Sequence, residues 1–471
     1  ASQQHALNIS SIIFWSFFLE RCELNRNFDR HRSRRKSKMI SMGISRIYLV
    51  ILFGVLLRCS LRFSVYHQMI AKRVEVSSPF NAWIRAKEGV FLLNIGIDPY
   101  DGNTFHESPL FLHFYRFLIE ILEEYQLFFV FVLADILTAL VFSKVVLKQS
   151  KSIVAIDARR LKLKDSNDPT CANLLIKPES TSSNAESIIW IYLLCPYAIL
   201  PCVAQSTSVF TNLLVAMIFL AATNNHRHLS LFLLSLITLN TFYLILLLPS
   251  ICLILEHNTQ HRNSDRKFRS IIYSLFIFII SLISLIGISI LFEKGSLKFI
   301  DSVYVFRYAI VSCDASKLLR TNLINQSKMD CVGSNSKHWC LLRESYFLSF
   351  ITLVNHSIFK PYPTVSDLIL FLCLLPQWSH LFRYMRNILI IAGTIVTTSV
   401  LAPILWYLWI VLGTANSNFY FGITLAFNVG LILLITDLIF AFIKREFYIE
   451  NIELYKICKK TNKSPRIELA Y

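Results

Sequence analysis

The chain has 471 residues, 54% hydrophobic and 16% charged, with a positive mean hydropathy, which excludes a soluble protein that hides its apolar residues in one water-shielded core. Its net charge of +17 does not mark a nucleic-acid-binding surface, because the basic residues gather beside apolar spans instead of interleaving with aromatics on a polar face. The 11 cysteines form no CxxC pair and no His/Cys spacing of a zinc site, so neither a metal nor a cofactor is indicated.

The first forty residues mix an apolar patch, SSIIFWSFF, with a basic run, and Met39 and Met42 stand just before the first convincing span. The basic residues follow the patch instead of preceding it, which reads as a gene-model artefact and not as a targeting peptide. Apolar spans then fall at Ile47–Tyr66, Pro109–Leu122, Leu127–Leu147, Ser187–Ala204, Ser208–Ala222, Leu229–Leu255 and Ile271–Phe292. After a polar interval come Tyr346–Phe359, Asp367–Phe382, Ile388–Leu412 and Phe419–Ile443. The expected fold is therefore all-α and polytopic, with about 9–12 transmembrane helices, since each crossing needs roughly 17–25 mainly apolar residues. Pro196, Pro201, Pro376 and Pro403 lie within these spans and predict kinked or broken helices.

Arg32, Arg34, Arg35, Lys36, Lys38 and Arg46 precede the first span, HRNSDRKFR separates two later ones, and a basic tail follows the last. The positive-inside rule puts both termini in the cytosol and the loop 67–108 on the lumenal side. The chain thus divides into a basic segment 1–46, a multi-spanning domain 47–448 with an atypical polar interval 311–345, and a cytosolic tail 449–471. Cys313, Cys331 and Cys340 fall in that interval, where a disulfide is allowed and its pairing is open.

The loop contains NIGIDPYDGNTFHESPLF, Asn94 to Phe111. Asp98-Pro99-Tyr100-Asp101-Gly102 has the chemistry of consecutive tight turns, and Pro109 is suited to the first position of a helix. The stretch is an elbow that returns the chain to the membrane. His67 and His106 have no nucleophile motif beside them; His106 reads as a turn residue bonded to backbone, with direct ligand contact as its alternative.

GTANSNFYFG, Gly413 to Gly422, sets Asn416, Ser417 and Asn418 between two long apolar spans with Phe419, Tyr420 and Phe421 beside them. Such a set can hydrogen-bond sugar hydroxyls or phosphate while the aromatics face lipid; it can equally be a capped helix start with an aromatic belt. In KPYPTVSDL, Lys360 suits a phosphate and Tyr362 an interface, with snorkelling as the plainer role of the lysine. Asp135 and Asp437 fall inside apolar runs, where a carboxylate needs a partner; for both, an interhelical partner such as Arg58 or Arg62 is as plausible as a ligand.

Three blocks resemble one family, the PIG-U subunits of the glycosylphosphatidylinositol (GPI) transamidase complex. They are RVEVSSPFNAWIRAKEGVFLLNIGIDPYDGNTFHESPLFLHFYRFLIE with LADILTALVF after it, FKPYPTVSDLILFLCLLPQWSHLFRYMRNI, and LAPILWYLWIVLGTANSNFYFGITLAFNVGLILLITDLIFAFIKREFY. The resemblance implies a multi-pass subunit of the endoplasmic reticulum membrane, related to the GT-C mannosyltransferases, that receives the GPI lipid and scaffolds the complex. It also implies that the nucleophile resides in a separate caspase-like subunit, with other membrane subunits as further partners.

By that resemblance Asn416 and Asn418 are the first choice for GPI contact, with Ser417, Lys360, Tyr362, Asp98, Tyr100 and His106 as further polar contacts. Where a mannosyltransferase of this kind needs a pair of acidic residues, the chain reads RVEVSSPFNAW, with Glu75 alone. No catalytic residue is expected. The two alternatives are a dolichol-phosphate-mannose-dependent mannosyltransferase working through Glu75, and a pure assembly protein without lipid affinity. The interval from Cys313 to Phe350 departs from the family's aromatic pattern, and Asn325 in NQS becomes an acceptor for glycosylation if that departure is genuine.

Overall fold

The computed structural model describes residues 36–102, 104–162, 178–259, 264–305, 345–360 and 362–453. The first thirty-five residues, Cys313, Cys331, Cys340 and Asn325 therefore lie outside the described residues. Helices account for nearly all the regular structure, and no strand occurs among the described residues.

Among the described residues, four helices are long and apolar enough to cross a membrane: Glu124–Arg160, Asp265–Phe292, Ile388–Ile410 and Ser417–Glu450. Counting each of two bent helix pairs as one span raises the number to six. The sequence expectation of about 9–12 is larger because several apolar runs fold into pieces too short to qualify. Leu229–Leu255 is such a run: it becomes the helix Arg227–Asn240, a 3₁₀ helix Phe242–Leu247 and the helix Leu248–Thr259. Ser187–Ala204 likewise breaks at Cys195, just before Pro196, into Pro178–Leu194 and Pro196–Val203. Proline removes a backbone donor and crowds the preceding turn, so such a break is expected there.

The chain divides into two units. Unit 1 is drawn from Ala1–Phe53, Ser150–Pro196 and Leu372–Pro465, and unit 2 from Gly54–Gln149, Tyr197–Phe371 and Arg466–Tyr471.

In unit 1 the helices Ile388–Ile410 and Ser417–Glu450 pack side by side. A Cβ added to Gly430 would stand 3.2 Å from Ile395 and 3.3 Å from Thr394, so the missing side chain is what allows the close approach. Asp437 is buried, and its carboxylate accepts the backbone N–H groups of Arg386 (3.0 Å) and Asn387 (3.0 Å) at the start of Ile388–Ile410. It thus supplies an anion where the helix leaves its first donors unpaired. Deeper in the same unit, Arg445 pairs with Asp157 and Glu446 pairs with Arg160 at 3.0 Å.

Unit 2 has an aromatic core built on Trp83, Tyr100, Phe105, Tyr115, Phe131 and Phe210. The helix Trp83–Ile95 contributes Trp83, Ala86 and Val90, residues three to four apart that share a face. It stops at Gly96, whose φ of 85° is the left-handed conformation that glycine adopts without strain. Pro109 opens the helix Pro109–Ile121 at its first turn. Asp135 is fully buried and accepts from the Arg58 guanidinium at 2.9 and 3.1 Å. Arg62 instead reaches Glu124 at 3.7 Å and lies over the Phe128 ring.

A polar pocket in unit 2 and a polar rim in unit 1

The elbow is held by turns and by distant parts of unit 2. The Asp98 carboxylate accepts from Tyr100 N–H (2.9 Å), and Asp101 N–H donates to the Asp98 carbonyl (3.3 Å), closing a turn. Lys298 donates to Asp101 at 2.8 Å, which raises its ammonium above the ordinary lysine value. Tyr100 is buried and donates to the Glu107 carbonyl at 3.0 Å; burial pushes its phenol up, so it stays protonated. His106 Nδ1 donates to the Ser302 carbonyl at 3.0 Å, while the Ser302 hydroxyl donates to the Phe105 carbonyl at 2.7 Å. His106 is thus a buried residue bonded to backbone.

Glu107, which the sequence analysis does not single out, is the centre of the region. It is 4% exposed, and its carboxylate accepts from Tyr115 (2.5 Å), Thr207 (2.6 Å) and Asn240 (3.3 Å). Asn240 also accepts from Ser108 N–H at 3.0 Å, one of the donors exposed by the start of Pro109–Ile121. These ties come from the helix Pro109–Ile121, from Thr207 just before the helix Ser208–Thr223, and from Asn240, the last residue of the helix Arg227–Asn240.

Glu107, Thr207 and Asn240 line a pocket with room for about 30 Å³. Ser78, Asn81 and Thr211 line it as well, and Phe80 and Tyr243 add aromatic rings to the lining. The Phe80 ring packs between His106 (5.3 Å) and Tyr362 (5.5 Å). Tyr362 is 47% exposed and has a positive φ of 52°, an uncommon conformation for a bulky residue. Lys360 lines the pocket too, but its ammonium donates to both oxygens of Asp367 at 2.8 and 3.0 Å. Asp367 in turn accepts from Thr364 N–H at 2.9 Å, so the lysine belongs to a helix-start cluster with its ammonium paired to a carboxylate. Glu75 is not on the pocket walls; its Oε1 is buried and meets no donor among the described residues.

The Asn416–Asn418 set is an exposed rim in unit 1. The Asn416 side chain caps the helix Ser417–Glu450, accepting from Asn418 N–H (3.4 Å) and the Ser417 hydroxyl (3.0 Å). Asn416, Ser417 and Asn418 are all exposed, as are Phe419 and Phe421. No hydrogen bond among the described residues engages the Asn418 side chain. Of the residues singled out in the sequence, the structure thus gathers His106, Tyr362 and Lys360 around the unit 2 pocket. Asp98 and Tyr100 belong to the elbow beside it, and Asn416, Ser417 and Asn418 form a separate local cluster.

The sequence matches the family described as GPI transamidase subunit PIG-U over residues 52–316 and 339–427. It is 34% identical over 432 residues to the GPI-anchor transamidase component PIGU of Homo sapiens, covering 86% of this chain and 95% of the human protein. The chain belongs to the PIG-U family. Among relatives from fungi, the GPI transamidase component GAB1 homolog of Schizosaccharomyces pombe is 28% identical over 413 residues, covering 83% and 93% of the two chains. GPI transamidase component GAB1 of Saccharomyces cerevisiae is 23% identical over 421 residues, covering 82% and 91%. The PIG-U match leaves out 317–338, which lies within the interval whose sequence departs from the family pattern. Glu107, Asn240 and the Asn416–Asn418 rim all fall inside the matched stretches.

Proposed function

We propose that this PIG-U family member is a noncatalytic subunit of GPI transamidase in the endoplasmic reticulum membrane, one that recognises or presents the GPI lipid and scaffolds the complex. Its partners on this reading are a caspase-like catalytic subunit and further membrane subunits. The proposal includes a fold related to the GT-C mannosyltransferases, with the elbow on the lumenal side. Family membership supports the transamidase role.

Lipid recognition is carried by one observation. Asn416, Ser417 and Asn418 stand exposed between two long apolar helices that the protein itself covers only sparsely, with 22% and 39% of their apolar windows buried. Amide and hydroxyl groups at the mouth of an apolar surface suit a ligand with a polar headgroup and acyl chains. Asn416 is committed to capping, which leaves the Asn418 amide as the group best placed to bond a sugar hydroxyl or phosphate.

The test separates these roles. Asn418→Ala removes the free amide without touching the cap, and is expected to lower the GPI recovered with the purified complex while the other subunits still co-purify. Normal lipid recovery from that variant, or from Asn416→Ala/Asn418→Ala, contradicts the site. Glycosyl transfer by the purified chain that disappears in Glu75→Gln overturns the noncatalytic reading.

A further inference from the structure

We propose that the unit 2 pocket is a subsite for two adjacent hydroxyls of a polyhydroxylated ring, a sugar or an inositol. Three observations lead there, and each removes another class of ligand.

The first is an orphaned donor. Asn81 is 7% exposed and lines the pocket, and its Oδ1 accepts from Ser78 N–H (2.7 Å) and the Ser78 hydroxyl (3.0 Å). Its Nδ2 meets no acceptor among the described residues. A buried donor without a partner is costly, so the pocket's occupant must offer an acceptor. An ammonium group has none.

The second is charge. The carboxylate of Glu107 also lines the pocket, and Lys360, the cation lining it, is held by Asp367. An anion placed here would face a carboxylate without a free counter-charge from that lysine, which disfavours phosphate. A hydroxyl accepts from Asn81 and donates to an oxygen of Glu107 or a threonine, so it suits both kinds of lining group.

The third is size and shape. Room for 30 Å³ holds roughly two water-sized groups at about 10–15 Å³ each, enough for a pair of hydroxyls and too little for a whole ring. Thr207 and Thr211, four residues apart, present hydroxyls on one helical face. Phe80 and Tyr243 give the pocket apolar walls on which the C–H face of the same ring can rest. A ring entering by its edge matches both the polar floor and the aromatic walls.

This subsite deepens the lipid-recognition reading, and its test does not depend on that reading, because the probes are free rings. Full-length protein in detergent is examined by saturation-transfer NMR with methyl α-mannoside and with myo-inositol. Binding of the mannoside alone assigns a sugar, and binding of inositol alone assigns the inositol; binding of both assigns a general diol site.

Two variants address the walls. Asn81→Asp keeps the oxygen that accepts from Ser78 and deletes the free donor, and Thr211→Val is close to isosteric and deletes a hydroxyl. Each is expected to weaken probe binding by roughly tenfold, the value of one buried hydrogen bond. If one variant fails to fold, the other decides. No saturation transfer to either probe leaves the pocket to ordered water and overturns the proposal, as does binding that both variants retain in full. Ring binding that survives Asn418→Ala, in a complex that has lost its lipid, separates this site from the rim.

Discussion

The elbow of unit 2 and the Asn416–Asn418 rim of unit 1 are built from the same residue types and hold them in opposite ways. At the elbow, buried polar groups are tied to residues far along the chain: Glu107 to Thr207 and Asn240, His106 to Ser302, Ser108 to Asn240. At the rim the bonds are local, from Asn416 to its next two neighbours, and the side chains face outward. A buried polar cluster must satisfy itself and so becomes scaffold, whereas an exposed one leaves groups free for a ligand. Asn81 is an informative exception, a buried amide near the elbow that still has a donor to give.

The comparison is most easily broken where burial is greatest. Asp135→Leu leaves the Arg58 guanidinium uncompensated, and a loss of about 3–5 kcal/mol is expected in denaturant titrations of the detergent-solubilised protein. Adding Arg58→Met should restore much of that loss, since an apolar pair of similar volume removes the buried charge altogether. A single Asp135→Leu variant as stable as wild type would mean that the pair is solvated and the contrast between the regions overdrawn.

Glu107→Gln is next. It presents an amide group to hydroxyls that now donate to a carboxylate, so about 1–3 kcal/mol of stability should go. The rim should respond more weakly. Asn416→Ala loses a helix cap and about 0.5–2 kcal/mol, measurable as a lower unfolding midpoint. Asn418→Ala should change stability by less than about 0.5 kcal/mol, as is usual for exposed positions, while reducing bound lipid. If Asn418→Ala destabilised the chain as much as Glu107→Gln, the rim would be scaffold as well.

Much of this architecture is written locally in the sequence. Pro109 marks a helix start, Asp98 and Gly96 mark turns, and Asn416 marks a cap, because each acts on backbone within a few residues. What the sequence hides is distance. Leu229–Leu255 looks like one span because averaged hydropathy ignores Asn240, whose partner is 132 residues away. Glu107 does not stand out in the elbow stretch for the same reason: its partners Thr207 and Asn240 are 100 and 133 residues away. The helix Trp83–Ile95 was legible after all, in the spacing of Trp83, Ala86 and Val90, but the polar residues around it masked the period. Lys360 reads as a free cation until the fold shows Asp367, seven residues on, already bonded to it.

The most direct test of the central claim is affinity purification of this chain from its own cells in mild detergent, with mass spectrometry of the proteins and lipids that come with it. The account predicts a caspase-like protease, its membrane partners and a GPI lipid, with the lipid reduced and the proteins retained in Asn418→Ala. Recovery of the chain alone with a dolichol-linked sugar, or of the assembled proteins without GPI, would contradict it.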